Sequence, residues 1–187
     1  MVDQEITDIA IVDLFKTKGK QQEAFRMLMA RYKERLYWHI RKIVLTHDDA
    51  DDALQNSFIK IWQNLESFQG NSALFTWLYR IATNEALTLL KKKKRANLYS
   101  ISDEDNTFGD SLQSDPYFDG SALQLLLQKA IATLPEKQKI IFNLKYFEEM
   151  KYQEIAEITE TSVGSLKASY HHAAKKIEAY LKANMDE

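Results

Sequence analysis

The chain has 187 residues, enough for one or two domains that would each need a core. With no cysteine it can hold neither a disulfide framework nor thiolate chemistry, and its net charge of −2 and pI of about 6.1 fall well short of the pI above ~9 expected of a self-sufficient DNA binder. No apolar run approaches the ~18–20 residues of a membrane span. The acidic start MVDQEITDIA lacks a signal peptide's basic region, so a cytoplasmic chain without membrane insertion is expected.

Five glycines and two prolines leave few breakers, and no alternating apolar pattern is bounded by turn residues; the expected fold is all-α. Ala24–Leu45 reads as a long apolar-aromatic helix with a basic face of Arg26, Arg31, Lys33, Arg35, Arg41 and Lys42. It ends before the cluster His47-Asp48-Asp49-Ala50-Asp51-Asp52. That cluster lacks the glycine and twelfth-position glutamate of a calcium loop. Helix capping accounts for one or two of its carboxylates. Four exceed what a cap needs, so a binding surface for a basic partner stays open beside the capping reading. A second helix follows, with Leu54, Phe58, Ile61 and Leu65 spaced by four, three and four.

After the break Phe68-Gln69-Gly70-Asn71-Ser72, a third helix runs from about Leu74 into Lys91–Arg95. At 100° per residue, Trp77, Arg80, Asn84, Thr88 and Lys91 fall within an arc of about 80°. Tryptophan can stack bases, arginine can hold phosphate and asparagine can read a base edge, which suits single-stranded or melting DNA. The competing reading places Trp77 in the core. The cationic run Lys91-Lys92-Lys93-Lys94-Arg95 has two readings as well: cations at a helix C-terminus stabilise its dipole, and five together make a phosphate footprint.

Residues 96–120 carry six acids (Asp103, Glu104, Asp105, Asp110, Asp115 and Asp119) and neither Lys nor Arg. Residues 1–95 hold sixteen Lys/Arg against twelve Asp/Glu, and 121–187 hold nine of each. The acidic segment is rich in Ser, Asp, Asn and Gly and has no apolar period. So long a structureless run is uncommon inside one domain and reads as a flexible linker. Two small helical domains, 1–95 and 121–187, are therefore expected around a linker at 96–120.

The second domain opens at Leu134-Pro135-Glu136, where a proline at the first helical position starts a helix. Ile140, Leu144 and Phe147 follow at i, i+4, i+7. Tyr152–Ile177 then reads as two short helices joined by a tight turn. Val163, Leu166, Tyr170, Ala173 or Ala174 and Ile177 form one apolar stripe. The opposite face carries Ser165, Ala168, Ser169, His172, Lys175 and Lys176, small or hydrogen-bonding groups that suit a DNA major groove. From period alone, a DNA-reading helix-turn-helix and an ordinary helical hairpin are equally open.

The adjacent His171 and His172 do not share a helix face and have no third ligand nearby, so no metal site is expected. There is also no nucleophile–base arrangement, phosphate-cradling glycine loop or pair of carboxylates in a pocket, so neither a catalytic site nor a cofactor is expected.

The order of these segments carries a resemblance: DDADDALQNSFIKIWQNLESF, then FQGNSALFTWLYRIATNEALTLLKKKKR, a linker, and LPEKQKIIFNLKYFEEMKYQEIAEITETSVGSLKASYHHAAKKI. Over about Ala24–Arg95 and Leu134–Leu181 the chain resembles the extracytoplasmic-function (ECF) group of bacterial RNA polymerase sigma factors. The resemblance implies that Asp52, Gln55, Asn56, Ile59 and Trp62 dock on the clamp helices of the largest subunit of core RNA polymerase, giving the acidic cluster a basic partner. It implies that the loop Phe68–Ala73 and the following helix read and melt the minus-10 element, with one base flipped into the loop. The candidate contacts are Gln69, Asn71, Trp77, Arg80, Asn84, Lys91, Lys92 and Arg95. The helix from Val163 would enter the minus-35 major groove through Ser165, Lys167, Ala168, Ser169, His171, His172 and Lys175. Chemistry would stay with the polymerase, promoter DNA would be the second partner, and a membrane-associated anti-sigma factor is a candidate third.

The chain departs from the family pattern at three places. Gln69-Gly70-Asn71 replaces a common Arg-Gly-Glu, which leaves the flipped-base preference open. Glu160 stands where the turn usually has glycine, in a left-handed conformation that is unfavourable for a side chain. Ser169 and His172 replace common arginines. A stand-alone helix-turn-helix regulator and a sigma-mimicking adaptor are the alternative functions; the first is disfavoured by the Trp-Arg-Asn face and the second by Lys91–Arg95.

Overall fold

The computed structural model describes residues 6–44, 46–97 and 122–184. Of the linker expected at 96–120, residues 96 and 97 are helical and end α4, and residues 98–120 lie outside the described residues. Among the described residues every regular element is helical: α1 Asp8–Lys16, α2 Gln21–Val44, α3 His47–Asn64 with a 3-10 turn at Leu65–Ser67, α4 Leu74–Asn97, α5 Ala122–Ala132, α6 Glu136–Tyr146, α7 Tyr152–Thr159 and α8 Val163–Asn184. None of these helices is long and apolar enough to cross a membrane. The chain divides into two compact units, Met1–Leu89 and Leu90–Glu187. The division falls inside α4, ahead of the boundary expected after Arg95.

In the first unit α2 is the central element, packing against α1 and α3. Its buried Ala24, Leu28, Tyr32, Leu36, Ile40, Ile43 and Val44 repeat at intervals of three and four, one apolar stripe along the helix. Each fully buried side chain of that size contributes roughly 1.5–3 kcal/mol, so the stripe outweighs any single surface ion pair. The helix begins at Gln21, earlier than expected, and its basic face is only partly basic surface. Arg41 is buried, and half-buried Arg31 donates from Nη1 to Asp8 Oδ1 at 2.7 Å.

Helix α1 has no counterpart among the expected elements. Its N-cap Thr7 accepts the Ala10 amide at 3.3 Å, and Ile11, Val12 and Phe15 are buried. Asp8 holds this short helix to α2, because Arg31 and the Tyr32 hydroxyl, at 2.5 Å, both donate to its carboxylate. Burial, reinforced by the hydrogen bond to Asp8, pushes the Tyr32 phenol well above its usual range.

The acidic cluster forms the first turns of α3 instead of preceding it. Thr46 is the N-cap; its hydroxyl accepts the Asp49 amide at 3.4 Å and donates to the Asp49 carboxylate at 2.6 Å. Asp49 is buried there as a capping group, while Asp48, Asp51 and Asp52 remain exposed.

In the second unit α8 packs against α5, α6 and α7. One core gathers Ala130, Ile131, Leu134, Phe142, Ala173 and Ile177, flanked by Leu127, Phe147, Tyr170, Tyr180 and Leu181. Helix α5 was not expected, yet it brings Ala130 and Ile131 to that core. Pro135 is the N-cap of α6 and not its first helical residue; its carbonyl accepts the Lys139 amide at 2.9 Å. Phe147 is the C-cap and only half-buried.

Candidate nucleic-acid interface

Along α3, Asp52, Gln55, Asn56, Ile59 and Trp62 are all exposed, whereas Ala53, Leu54, Ser57 and Ile61 face the core. The five expected docking residues thus share one face. Ile59 is 50% exposed and Trp62 39% exposed, an unusual placement for large apolar side chains. Trp62 also braces the fold: its ring meets Phe15 and Phe25 edge-on at 5.2 and 5.0 Å. Beside it, Lys60 is ion-paired with Glu85 of α4.

The loop between α3 and α4 turns at Gly70, whose φ of +73° lies in the region that favours glycine. A Cβ there would meet nothing within 4 Å, so backbone conformation, not crowding, calls for glycine. Gln69 and Asn71 are exposed, and the Asn71 amide donates to Gln69 Oε1 at 3.2 Å. Lys16 of α1 anchors the loop by donating to the Phe68 carbonyl at 2.8 Å. Loop and α1 together border an open cavity of about 730 Å³ lined by Asp8, Ile9, Val12, Asp13 and Lys16 on one side and by residues 68–74 on the other.

Helix α4 buries Leu74, Leu78, Tyr79, Ala82 and Ala86. Trp77 and Arg80 are half-buried, and Asn84 and Thr88 are exposed on the face expected from the sequence. Trp77 belongs wholly neither to the core nor to the surface. Its ring lies 5.2 Å from Phe68 at 48°, tying the helix to the loop before it. Lys91, Lys92 and Arg95, at the end of the same helix, are exposed.

Behind that face, His39 of α2 is fully buried with Nε2 2.8 Å from the Thr83 hydroxyl. Thr83 donates its only hydroxyl proton to the Tyr79 carbonyl at 2.7 Å, so His39 must donate Nε2–H to Thr83. This leaves Nδ1 as a buried lone pair without a hydrogen-bond partner. Burial, aided by the nearby Lys42 charge, pushes the imidazole pKa down to about 3, and the ring is neutral.

In the second unit α7, a turn and α8 form a helix-turn-helix. Glu160 ends α7 in the left-handed conformation, φ 51° and ψ 42°. The Thr161 amide then closes the turn on the Ala156 carbonyl at 3.3 Å. Ser162 immediately precedes α8, its hydroxyl accepting the Ser165 amide at 3.3 Å. Leu166, Ala173 and Ile177 are buried, with Tyr170 and Ala174 half-buried, as the stripe predicts. Ser165, Lys167, Ala168, His171, His172 and Lys175 are exposed, and Ser169 is half-buried. Lys167 sits 5.8 Å above the Tyr152 ring, which steadies its cation beside the exposed face. Far from being short, α8 runs 22 residues to Asn184. Among the described residues no group of His, Cys, Asp and Glu could hold a metal ion.

One unit thus carries a part-exposed aromatic-polar helix face and the other a helix-turn-helix. The sigma-70 region 2 family matches residues 28–96, and sigma-70 region 4 matches residues 124–177. The chain is 31% identical over 183 residues to the ECF RNA polymerase sigma-E factor of Haemophilus influenzae, covering 94% of this chain and 95% of that protein. It is 31% identical over 176 residues to the ECF RNA polymerase sigma factor SigW of Bacillus subtilis, covering 89% and 94%. The chain belongs to the ECF group of RNA polymerase sigma factors. Its fold is also that of CnrH, solved with the cytosolic domain of CnrY (TM-score 0.70, 21% identity, 95% of this chain and 98% of that one). It is shared with the sigma factor RpoE of Bartonella quintana, solved with the anti-sigma factor NepR (TM-score 0.73, 23% identity, 87% and 99%).

Proposed function

We propose that this ECF sigma factor, which directs transcription initiation, does so by gripping promoter DNA at two points while docked on core RNA polymerase. The exposed α3 face from Asp52 to Trp62 supplies the docking surface. Its one acid, Asp52, with exposed Asp48 and Asp51 in the turn before it, and its two exposed apolar side chains suit a basic helical partner with an apolar seam. The loop at 68–73 and the α4 face of Trp77, Arg80 and Asn84, extended by Lys91, Lys92 and Arg95, hold the melted minus-10 strand. The α8 face from Ser165 to Lys175 reads the minus-35 duplex. Residues 98–120 act as the linker, the chain has no active site of its own, and it works in the cytoplasm.

One observation carries this reading. Arg80 and Asn84 lie on the α4 face opposite the buried stripe, directly after a glycine-turned loop with its own cavity. That arrangement offers a stacking ring, a phosphate-binding cation and a base-reading amide to one unpaired strand.

The net charge of −2 supports dependence on the polymerase. Affinity for DNA scales with the phosphates neutralised, so free protein should bind duplex weakly, and the enzyme converts two weak contacts into one strong one. An anti-sigma factor, the kind of partner solved with the RpoE relative, is a further proposed partner. Run-off transcription with purified core polymerase tests the proposal. Promoter-specific transcripts should appear only when the chain is added to core polymerase; their absence with both present would contradict it.

A further inference from the structure

The cavity beside the minus-10 loop has a wall for which the sigma-factor reading gives no role. Helix α1 contributes Asp8, Ile9, Val12, Asp13 and Lys16 to it, facing Phe68, Gln69, Gly70, Asn71 and Leu74 across the opening. At about 730 Å³ it is in the range of pockets that hold small organic molecules, with ample room for an unpaired base. Val12 and Leu74 are buried apolar surface, and Ile9 stands at the rim 74% exposed. An apolar wall of this kind can face a flat heterocycle.

Most polar groups lining the cavity are already engaged. Asp8 accepts from Arg31 and Tyr32, Lys16 donates to the Phe68 carbonyl, and the Asn71 amide donates to Gln69. Asp13 differs. Its side chain is exposed, and its carboxylate takes part in no hydrogen bond or ion pair among the described residues; only its backbone carbonyl is used, by Thr17. An anionic side chain on the path of a DNA strand repels phosphate. It is favourable there only if it meets a hydrogen-bond donor, and a base edge supplies one.

We infer that Asp13 is a specificity-determining residue of the minus-10 pocket, accepting a hydrogen bond from the exocyclic amino group of the captured base. The inference rests on the reading of the 68–74 loop as the base-capturing wall. Adenine, cytosine and guanine each carry an exocyclic amino group. Thymine carries only carbonyl oxygens around a single ring N–H, so it brings lone pairs against the carboxylate. The cavity is too roomy to sort purines from pyrimidines by size, which leaves edge chemistry to discriminate. One charge-assisted hydrogen bond gained or lost in such a site changes affinity by on the order of tenfold.

The test uses holoenzyme reconstituted with core polymerase and single-stranded oligonucleotides spanning the minus-10 element. Each position is varied through the four bases and an abasic site, and binding is read by fluorescence anisotropy. Wild-type holoenzyme should show one position where thymine binds about tenfold worse than the other three bases. D13A should bring thymine within about threefold of them, and D13N, whose amide can donate to a carbonyl, should do the same or favour thymine. Asp13 is exposed on α1, and thermal melts of both variants confirm that they fold. A thymine penalty that persists in both variants overturns the role of Asp13 while leaving base capture standing. Base preference at some position without a thymine penalty also overturns it. No sensitivity to base identity or to an abasic site at any position overturns base capture itself, and this inference with it.

Discussion

Lys60 on α3 is ion-paired with Glu85 on α4, and the Glu85 side chain is only 10% exposed. The pair links the helix of Ile59 and Trp62 to the helix of Arg80 and Asn84, so the face proposed to dock on polymerase and the face proposed to hold the strand share one ionic tie. Removing the lysine strands a carboxylate in a poorly solvated position, which is worse than removing both charges. K60M should therefore destabilise the chain by on the order of 1–2 kcal/mol, and K60M/E85M by less than the two single changes added. Urea unfolding of the four proteins in a double-mutant cycle measures the difference.

Buried His39 makes stability depend on pH. Its folded pKa of about 3 lies below the ordinary value of 6.5, so the unfolded chain takes up the proton first as pH falls. The stabilisation is complete above about pH 6.5 and is lost at ~1.4 kcal/mol per pH unit down to about pH 3. Between pH 6.5 and pH 5 the wild type should lose roughly 2 kcal/mol more than H39Q. Urea titrations at the two pH values check this; parallel losses would show that His39 is not the group responsible.

The helix-turn-helix carries an unfavourable residue at its turn. Glu160 is held in the left-handed region, which disfavours any side chain with a Cβ by roughly 1–2 kcal/mol. E160G relieves that strain and loses part of the gain to the freer unfolded chain. A net stabilisation of about 0.5–1 kcal/mol, seen as a rise of a few degrees in melting temperature, is expected. An unchanged or lower melting temperature would place the strain elsewhere.

Of the two exposed apolar residues on the face proposed to dock on polymerase, Ile59 separates binding from folding. Trp62 packs against Phe15 and Phe25, so truncating it would disturb both. Ile59 is half exposed and its loss leaves the core intact. I59D should weaken binding to core polymerase by at least tenfold, because it replaces apolar contact area with a charge buried at the interface. The melting temperature should move by less than about 2 °C. Sedimentation or anisotropy with labelled protein gives the affinity.

The helical stripes of α2, α3 and α8 were legible in the sequence because their burial follows one local period. Leu54 and Ile61, or Leu166, Ala173 and Ile177, need no knowledge of distant residues. The faces opposite them followed at once, which is why the expected docking residues and most of the expected DNA-facing ones emerge exposed, while Trp77, Arg80 and Ser169 are half-buried. What escaped depends on partners far along the chain. Helix α1 has nine residues, too few to be stable alone, and Asp8 meets Arg31 and Tyr32 more than twenty positions away. Arg41, read as basic surface, is buried by packing that its own helix does not reveal. The cavity wall supplied by α1 was missed for the same reason. Pro135 fell one position off because a helix start is set by hydrogen bonding, and its carbonyl already accepts the first helical bond. The assignment of roles came from resemblance and not from periodicity, since no spacing distinguishes a strand-holding asparagine from a solvated one.

The central claim is that the α4 face opens and holds the minus-10 strand once the chain is docked on polymerase. Permanganate reactivity of minus-10 thymines measures this most directly, with holoenzyme formed on a promoter mapped by run-off transcription. Wild-type holoenzyme should make those thymines reactive. R80A/N84A should abolish the reactivity while still binding core polymerase, because half-buried Arg80 and exposed Asn84 lie opposite the buried stripe and neither is part of the core. Undiminished reactivity in R80A/N84A would contradict the account.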